Sequence, residues 1–136
     1  MTYLKETTGN ILLTTGSKEL QEYTRLKEFR SRCYARVLST KEAVEKSIGL
    51  GFEVKHLLAM QGPFSKEMNK AMIAHVDAKY VVTKETGKAG GFPEKLEAAK
   101  ENGACLVVIR RQIGRASSEE DGKKAEEIIA WFRKHL

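Results

Sequence analysis

The sequence predicts a three-layer α/β/α domain with a five-stranded, mainly parallel sheet and helices on both of its faces. Five short apolar runs recur at regular spacing along 136 residues, and amphipathic helical patterns separate them. Several runs are almost continuously aliphatic rather than alternating, which is typical of parallel strands covered on both faces. Regular alternation of strand and helix predicts a Rossmann-like or flavodoxin-like arrangement.

The five apolar runs are the predicted strands. They are Ile11–Thr15 (ILLTT), Cys33–Ser39 (CYARVLS), Val54–Met60 (VKHLLAM), Lys79–Thr83 (KYVVT) and Cys105–Arg110 (CLVVIR). The chain's two cysteines, Cys33 and Cys105, lie inside these runs, and we expect both to be small buried hydrophobic residues. The sequence has neither a CxxC pair nor a Cys/His cluster, so we expect no metal site.

Each predicted helix begins at residues that favour a helix N-terminus. The predicted starts are Ser17, Thr40, Ser65, the pair Phe92–Pro93, and Ser117 or Ser118. We expect the first helix to run to about Phe29. The last helix is expected to end in EEIIAWFRKHL and to turn Ile128, Ile129, Trp131 and Phe132 towards the core.

The chain is interpreted as one domain, residues 11–136, preceded by a connector at residues 1–10. It has no run of about 18 apolar residues and no signal-peptide pattern at the N-terminus, so we expect a cytoplasmic protein without a membrane span. The net charge is +6, but basic residues mix with acidic ones along the helices, as in KELQEYTRLKEFR. This pattern favours a small anionic ligand over nucleic acid as the partner.

Glycine-containing turns follow four of the five predicted strands. They are TTGSKEL after the first strand, MQGPFS after the third, TKETGKAGG after the fourth and RRQIGRAS after the fifth. In open parallel sheets these turns share one edge, where ligands bind, and N–H groups that glycine leaves uncovered suit a carboxylate or phosphate. Lys84 directly follows VVT and should project into this cleft. Ordinary turns, helix starts and a solvated lysine also account for the same residues.

Several common site patterns are absent from these turns. The sequence has no GxxxxGK[ST] loop, no GxGxxG after a strand and no GxSxG elbow, so nucleotide-loop and serine-hydrolase sites are not supported. TTGSKEL offers part of a hydroxyl-rich flavin phosphate loop. The residues alone therefore leave two hypotheses open: a non-catalytic domain that binds a small anionic metabolite, and a flavin-binding redox domain, which would be yellow.

Five segments together resemble one known family. ILLTTGSKEL, RVLST, AMQGPFSKEMNKAM, VVTKETGKAGGFPEKLEAA and VVIRR follow the order and spacing of the precorrin-6A reductase family of cobalamin biosynthesis, of the cobalt-precorrin-6A reductase type. The resemblance covers about residues 11–111 and is to the C-terminal half of that family. It implies a complementary N-terminal, nucleotide-binding half outside this sequence, and a chain that is inactive by itself.

The resemblance also implies an activity and residue roles. Family members reduce one double bond of a tetrapyrrole, precorrin-6A or cobalt-precorrin-6A, with NADPH or NADH bound between the two halves. Lys84, at the family's VTK position, is implied to be the catalytic group that holds an anion or donates a proton. The implied cofactor-binding residues are Thr83, Gly87, Gly90 and Gly91. The implied substrate-binding residues are Thr15, Gly16, Ser17, Gln61, Gly62 and Ser65.

Overall fold

The structure, a computed structural model, describes residues 2–84, 91–111 and 126–131. The strands are β1 (Asn10–Leu13), β2 (Cys33–Val37), β3 (Leu57–Ala59), β4 (Ala78–Lys84), β5 (Cys105–Arg111) and β6 (Glu126–Trp131). The α-helices are α1 (Thr2–Lys5), α2 (Phe29–Arg32), α3 (Lys41–Gly49), α4 (Lys66–Val76) and α5 (Phe92–Glu101). Two 3-10 helices span Ser17–Arg25 and Val54–His56.

The strands form one sheet in the order β3-β2-β1-β4-β5-β6. Strands β1 to β5 are parallel, so the predicted α/β fold is confirmed, and their carboxyl ends lie at one edge of the sheet. The chain adds strands on one side of β1 up to β3 and then crosses to the other side with β4. The gap between the carboxyl ends of β1 and β4 is therefore the switch point at which such sheets bind ligands.

The last described segment corrects the prediction of a C-terminal helix. Residues Glu126–Trp131 form β6, which pairs antiparallel with β5, with Leu106 opposite Trp131 and Ile109 opposite Ile128. Two adjacent isoleucines and a tryptophan favour a strand, and the pairing covers an edge of β5 that would otherwise be open. The predicted helix start at Ser117 or Ser118 lies outside the described residues.

The helix starts at Thr40 and Ser65 are confirmed. The hydroxyl of Thr40 accepts a hydrogen bond from the backbone N–H of Ala43 at 3.1 Å, and that of Ser65 accepts one from Met68 at 3.0 Å. These bonds satisfy N–H groups that have no partner within the helix.

The first predicted helix differs from its prediction. It is a 3-10 helix, Ser17–Arg25, and its N-cap is Gly16 rather than Ser17. It does not continue to Phe29, because Leu26 is extended and Glu28 adopts a left-handed conformation (φ 63°) before the short helix α2. The third predicted strand is likewise shorter, since a 3-10 turn occupies Val54–His56 and takes His56 out of the sheet.

The core lies in two layers, one on each face of the sheet. On one face, Ile11, Leu13, Val82 and Val107 pack with residues of the Ser17–Arg25 helix. On the other face, α4 and α5 cover the sheet. The residues of this second layer include Leu12, Val81 and Leu106 of the strands and Met72, Val76, Ala98 and Ala99 of the helices. Because both faces of the sheet are covered, the strand sequences are nearly continuous apolar runs.

The two cysteines are buried, as predicted, and they do not form a disulfide. Burial raises the pKa of the Cys33 thiol to about 12, so it is a packing residue and not a nucleophile at neutral pH. None of the helices in the described ranges has the length and apolar character needed to cross a membrane. Within the same ranges, no group of three or more His, Cys, Asp or Glu residues is placed to hold a metal ion.

Candidate anion-binding site

A cavity of about 370 Å³ opens at the carboxyl edge of the sheet, beside the switch point. Its walls come from five parts of the chain: the turn after β1, the end of β2, the turn between β3 and α4, the first turn of α4 and the first turn of α5. The lining residues are Thr14, Gly16, Arg36, Val37, Leu38, Met60, Gly62, Pro63, Phe64, Asn69, Gly91, Glu94 and Lys95. The volume lies in the usual range for small-ligand sites.

Arg36 is a charged residue that projects from the buried strand β2 and is only 8% exposed. Its Nη1 donates to Oδ1 of Asn69 at 2.8 Å, and its guanidinium lies 4.0 Å from the centre of the Phe64 ring. Asn69 is itself held by a bond from Nδ2 to the carbonyl of Ser65 at 2.8 Å. Burial lowers the pKa of Arg36 to about 10, which leaves the side chain charged at neutral pH.

Lys95 is the second buried cation, 7% exposed, and it projects from the first turn of α5. Its Nζ donates to Oγ1 of Thr83 at 2.8 Å, and that hydroxyl in turn donates to the carbonyl of Lys84 at 3.2 Å. Burial, and secondly the charges of Arg36 and Lys84, lower the pKa of Lys95 to about 8. The ammonium form therefore predominates at neutral pH.

Neither buried cation forms an ion pair with a described residue. The ion pairs found in the described ranges join Lys66 and Lys70 to Glu101, and Lys84 to Glu19. Glu94 also lines the cavity, yet it is not within 4.0 Å of Arg36 or Lys95. Buried charges without an opposite charge are costly, and such groups concentrate at functional sites.

The structure brings three of the predicted glycine positions to this cavity. Gly16, Gly62 and Gly91 all line it. Gly16 and Gly91 have positive φ angles of 91° and 80°, and a Cβ at either position would meet nothing within 4 Å, so the space beside both is open. Gly87 and Gly90, also predicted to bind cofactor, lie outside the described residues.

The other predicted substrate-binding residues do not line the cavity. Thr15 is buried, and its hydroxyl has no hydrogen-bond partner. Ser17 begins the 3-10 helix, and Ser65 caps α4. Gln61 is exposed and accepts a hydrogen bond from the hydroxyl of Ser39 at 3.3 Å.

Thr83 and Lys84 are adjacent on β4 and therefore point to opposite faces of the sheet. Thr83 is fully buried and contacts Lys95 on the face covered by α5. Lys84 lies on the other face, 43% exposed, with Nζ 3.5 Å from Oε1 of Glu19. Lys84 thus borders the switch point but does not line the cavity, although its charge reaches Lys95.

Arg36 and Lys95 were missed from the sequence, although each carried a signal. Arg36 interrupts a buried apolar strand between Ala35 and Val37. Lys95 lies three and four residues before Ala98 and Ala99, so it falls on the stripe of α5 that faces the core. A cation at a core position requires an explanation.

Fold and site together define an α/β domain with a cationic cavity at the carboxyl ends of its parallel strands. Residues 1–133 match the family described as Precorrin-6x reductase CbiJ/CobK, and the chain belongs to that family. The match covers almost the whole chain, including every element that lines the cavity.

The relatives named cobalt-precorrin-6A reductase are longer than the region that aligns with this chain. The Priestia megaterium protein is 43% identical over 108 residues, which are 78% of this chain and 42% of that protein. The Methanothermobacter thermautotrophicus protein is 45% identical over 80 residues, 59% of this chain and 26% of that protein. The Salmonella typhimurium protein is 36% identical over 110 residues, 81% of this chain and 41% of that protein. The chain therefore spans less than half the length of these relatives.

Among solved structures, an rRNA methylase from Streptococcus thermophilus superposes with a TM-score of 0.47 and 13% identity. The superposition covers 88% of this chain and 73% of the methylase, and the likeness is too slight to support an argument about function.

Proposed function

We propose that this chain supplies one wall of the active-site cleft of a cobalt-precorrin-6A or precorrin-6A reductase. The reaction is reduction of one double bond of an anionic tetrapyrrole with NADPH or NADH. The observation that carries the proposal is the cationic cavity beside the switch point, in a chain of the precorrin-6x reductase family. A macrocycle with several carboxylate arms needs distributed donors and positive charge, which this edge of the sheet offers.

The residues present fit one part of such ligands. A cavity of about 370 Å³ is too small for a whole tetrapyrrole or dinucleotide, but it can admit a carboxylate arm or a phosphate. Gly16 and Gly91 leave open space at its rim, where backbone can approach a large flat ligand closely. We assign Gly16 and Gly62 to the substrate wall and Gly91, with Thr83 behind it, to the cofactor wall.

The nicotinamide cofactor, when bound, supplies the hydride, and the chain's residues orient and stabilise charge. Lys84 is the group that we propose for proton delivery to the carbon beside the hydride acceptor. Its ammonium is partly exposed at the switch point, and its contact with Glu19 is a single ion pair at 3.5 Å. Such a partly exposed pair is weak, so a ligand can replace Glu19 as the partner of Lys84.

We further propose that the opposite wall is a complementary nucleotide-binding half, supplied with this chain in the cytoplasm. The relatives are more than twice as long as the aligned region, so they contain sequence for a second half. This chain alone is then expected to bind ligands but not to turn them over.

The test is turnover of cobalt-precorrin-6A and precorrin-6A with NADPH and with NADH, measured by oxidation of the nicotinamide. The chain is assayed alone and with the N-terminal half of the Priestia megaterium relative. We expect turnover only in the mixture. Absence of turnover in both preparations would refute the proposed reaction, and absence of tetrapyrrole binding as well would refute the role of this chain as a wall of the cleft.

A second candidate is a non-catalytic domain that binds a small carboxylated or phosphorylated metabolite. The size of the cavity favours it, since about 370 Å³ suits a small metabolite by itself. The same assay separates the two: turnover excludes a purely binding role, whereas metabolite binding without tetrapyrrole binding supports it. A yellow protein on purification would instead indicate bound flavin.

A further inference from the structure

We propose that Arg36 and Lys95 together form a receptor for one oxyanion group, a carboxylate or a phosphate, on the ligand that enters the cavity. The proposal rests on the proposed function only in naming a tetrapyrrole carboxylate as the preferred source. The receptor itself follows from the geometry of the two cations.

The first argument is charge balance inside the cavity. Arg36 and Lys95 are 8% and 7% exposed, and no described carboxylate lies within 4.0 Å of either. A protein gains nothing in folding from two like charges buried at one cavity, because each loses hydration and the charge of Arg36 acts against that of Lys95. A ligand anion removes both costs when it binds between them.

The second argument is that both cations are held in place with donors to spare. Asn69 and Phe64 fix the Arg36 guanidinium, and the hydrogen bonds found for it use only Nη1. Lys95 uses one of its three N–H groups, on the Thr83 hydroxyl. A guanidinium has five N–H donors, so both side chains retain donors for an oxyanion. Cations that are fixed before binding lose little entropy when the anion arrives.

The third argument concerns the rest of the ligand. Val37, Leu38, Met60 and Phe64 give the cavity an apolar wall, and Leu38 is 55% exposed at its mouth. The cavity therefore suits a ligand that joins an apolar body to an anionic group. Two cations and the Glu94 carboxylate leave one net positive charge among the lining residues, which favours a single carboxylate over a doubly charged phosphate.

The test measures binding to the 136-residue chain by isothermal calorimetry with three probes: uroporphyrin, NADPH and inorganic phosphate. The anionic groups of uroporphyrin are all carboxylates, whereas those of NADPH and inorganic phosphate are phosphates. The variants are Arg36→Met and Lys95→Met, and the control is Lys66→Met, which removes one exposed positive charge on α4. We expect uroporphyrin affinity to fall about tenfold or more in each cavity variant and by less than about twofold in the control.

The three probes identify the source of the oxyanion. If the cavity variants lose affinity for uroporphyrin alone, the receptor binds a carboxylate. If they lose affinity for NADPH and phosphate alone, the same receptor binds a phosphate of the cofactor. If no probe binds the wild-type chain, or if Lys66→Met weakens binding as much as the cavity variants, the proposal is overturned.

Unfolding in urea separates a binding role from a structural one. If the two cations serve ligand binding, both methionine variants should unfold at the same or a higher urea concentration than the wild type while losing affinity. Lower stability in both variants with unchanged affinity would show that the cations are structural and would overturn the receptor.

The reconstituted reductase provides an independent check. An inactive wild-type mixture that still binds uroporphyrin through Arg36 and Lys95 refutes the proposed reaction and leaves the receptor standing. The opposite outcome is a mixture that is active and in which both variants keep the wild-type KM for the tetrapyrrole and for the nicotinamide. That result supports the proposed reaction and refutes the receptor.

Discussion

Lys95 at the start of α5 donates a hydrogen bond to Thr83 on β4, with 2.8 Å between Nζ and Oγ1. Both residues are buried, and the bond joins a helix that covers the sheet to the strand beside the switch point. Because the Thr83 hydroxyl also donates to the carbonyl of Lys84, its lone pair faces Lys95. Thr83 therefore holds a cavity cation in position and is too deeply buried to meet a ligand directly.

Replacing Thr83 by valine should remove the only hydrogen bond found for the Lys95 ammonium. A buried charge without that acceptor costs about 1–3 kcal/mol, so we expect the free energy of unfolding to fall by this amount. The pKa of Lys95 should fall further below about 8, because the acceptor favours the charged form. Urea unfolding measures the first effect, and NMR titration of labelled lysine carbons measures the second.

Thr15→Val is the matched control, because Thr15 is also buried but its hydroxyl has no hydrogen-bond partner. We expect its free energy of unfolding to stay unchanged or to rise by up to about 1 kcal/mol. Equal losses in the two variants would show that the bond to Lys95 is not the reason for the effect. Reduced uroporphyrin affinity in Thr15→Val would support the predicted substrate contact at this residue.

Anion binding should depend on the protonation of Lys95. Its pKa of about 8 means that the ammonium is present below that pH and is lost above it. We expect uroporphyrin affinity to be constant near pH 6.5 and to decline as the pH rises through 8. Calorimetry at several pH values checks this expectation, and Lys95→Met, which has no charge to lose, should show a flatter profile over the same range.

Lys95 should also make the free energy of unfolding depend on pH, in the direction opposite to its effect on anion affinity. The pKa of Lys95 is lowered from 10.5 to about 8 by folding, so between these values the unfolded chain binds more protons than the folded chain. Stability contributed by this residue therefore rises with pH across that window, by an amount on the order of a few kcal/mol. The difference in unfolding free energy between Lys95→Met and the wild type should shrink from pH 7 to pH 10; a constant difference would contradict the lowered pKa.

Lys84→Ala should impair the reconstituted reductase and leave the fold intact. Loss of a general acid typically costs about 100-fold or more in kcat. The free energy of unfolding should change by less than about 1 kcal/mol, because the pair with Glu19 is partly exposed. Glu19→Gln removes the same ion pair but keeps the lysine. If the two variants were equally impaired, the ion pair and not the ammonium would be responsible.

Alanine substitution at two glycines tests the effect of backbone strain in the absence of crowding. Gly16 precedes the 3-10 helix with φ 91° and ψ 165°, a conformation that glycine alone adopts readily, although a Cβ there would meet nothing within 4 Å. We expect Gly16→Ala to lower the free energy of unfolding by about 1–3 kcal/mol. Gly49, in the last turn of α3, also has open space but no positive φ, so Gly49→Ala should be neutral or stabilise by up to about 1 kcal/mol. Urea unfolding compares the two variants.

Local patterns in the sequence predicted much of the fold. The near-continuous aliphatic runs predicted parallel strands, and Thr40 and Ser65 marked helix starts that their side-chain hydrogen bonds confirm. The helix predicted at the C-terminus was wrong because EEIIAW has both helical periodicity and strand-forming residues. Pairing with the open edge of β5 favoured the strand, and no local pattern contains that neighbour.

By itself, the sequence determined the α/β fold class, the family and the edge of the sheet at which the glycine-containing turns lie, because these depend on periodicity and on motifs that are local in the chain. Tertiary structure decided which side chains face the cavity. Strand alternation turns Lys84 away from Thr83, and packing of α4 and α5 on one face brings Arg36 and Lys95, 59 positions apart in the chain, to the same cavity. Residues so distant in the chain meet only after the layers are assembled. The sequence could therefore mark each cation as unusual in its own segment but could not show that the two line one cavity.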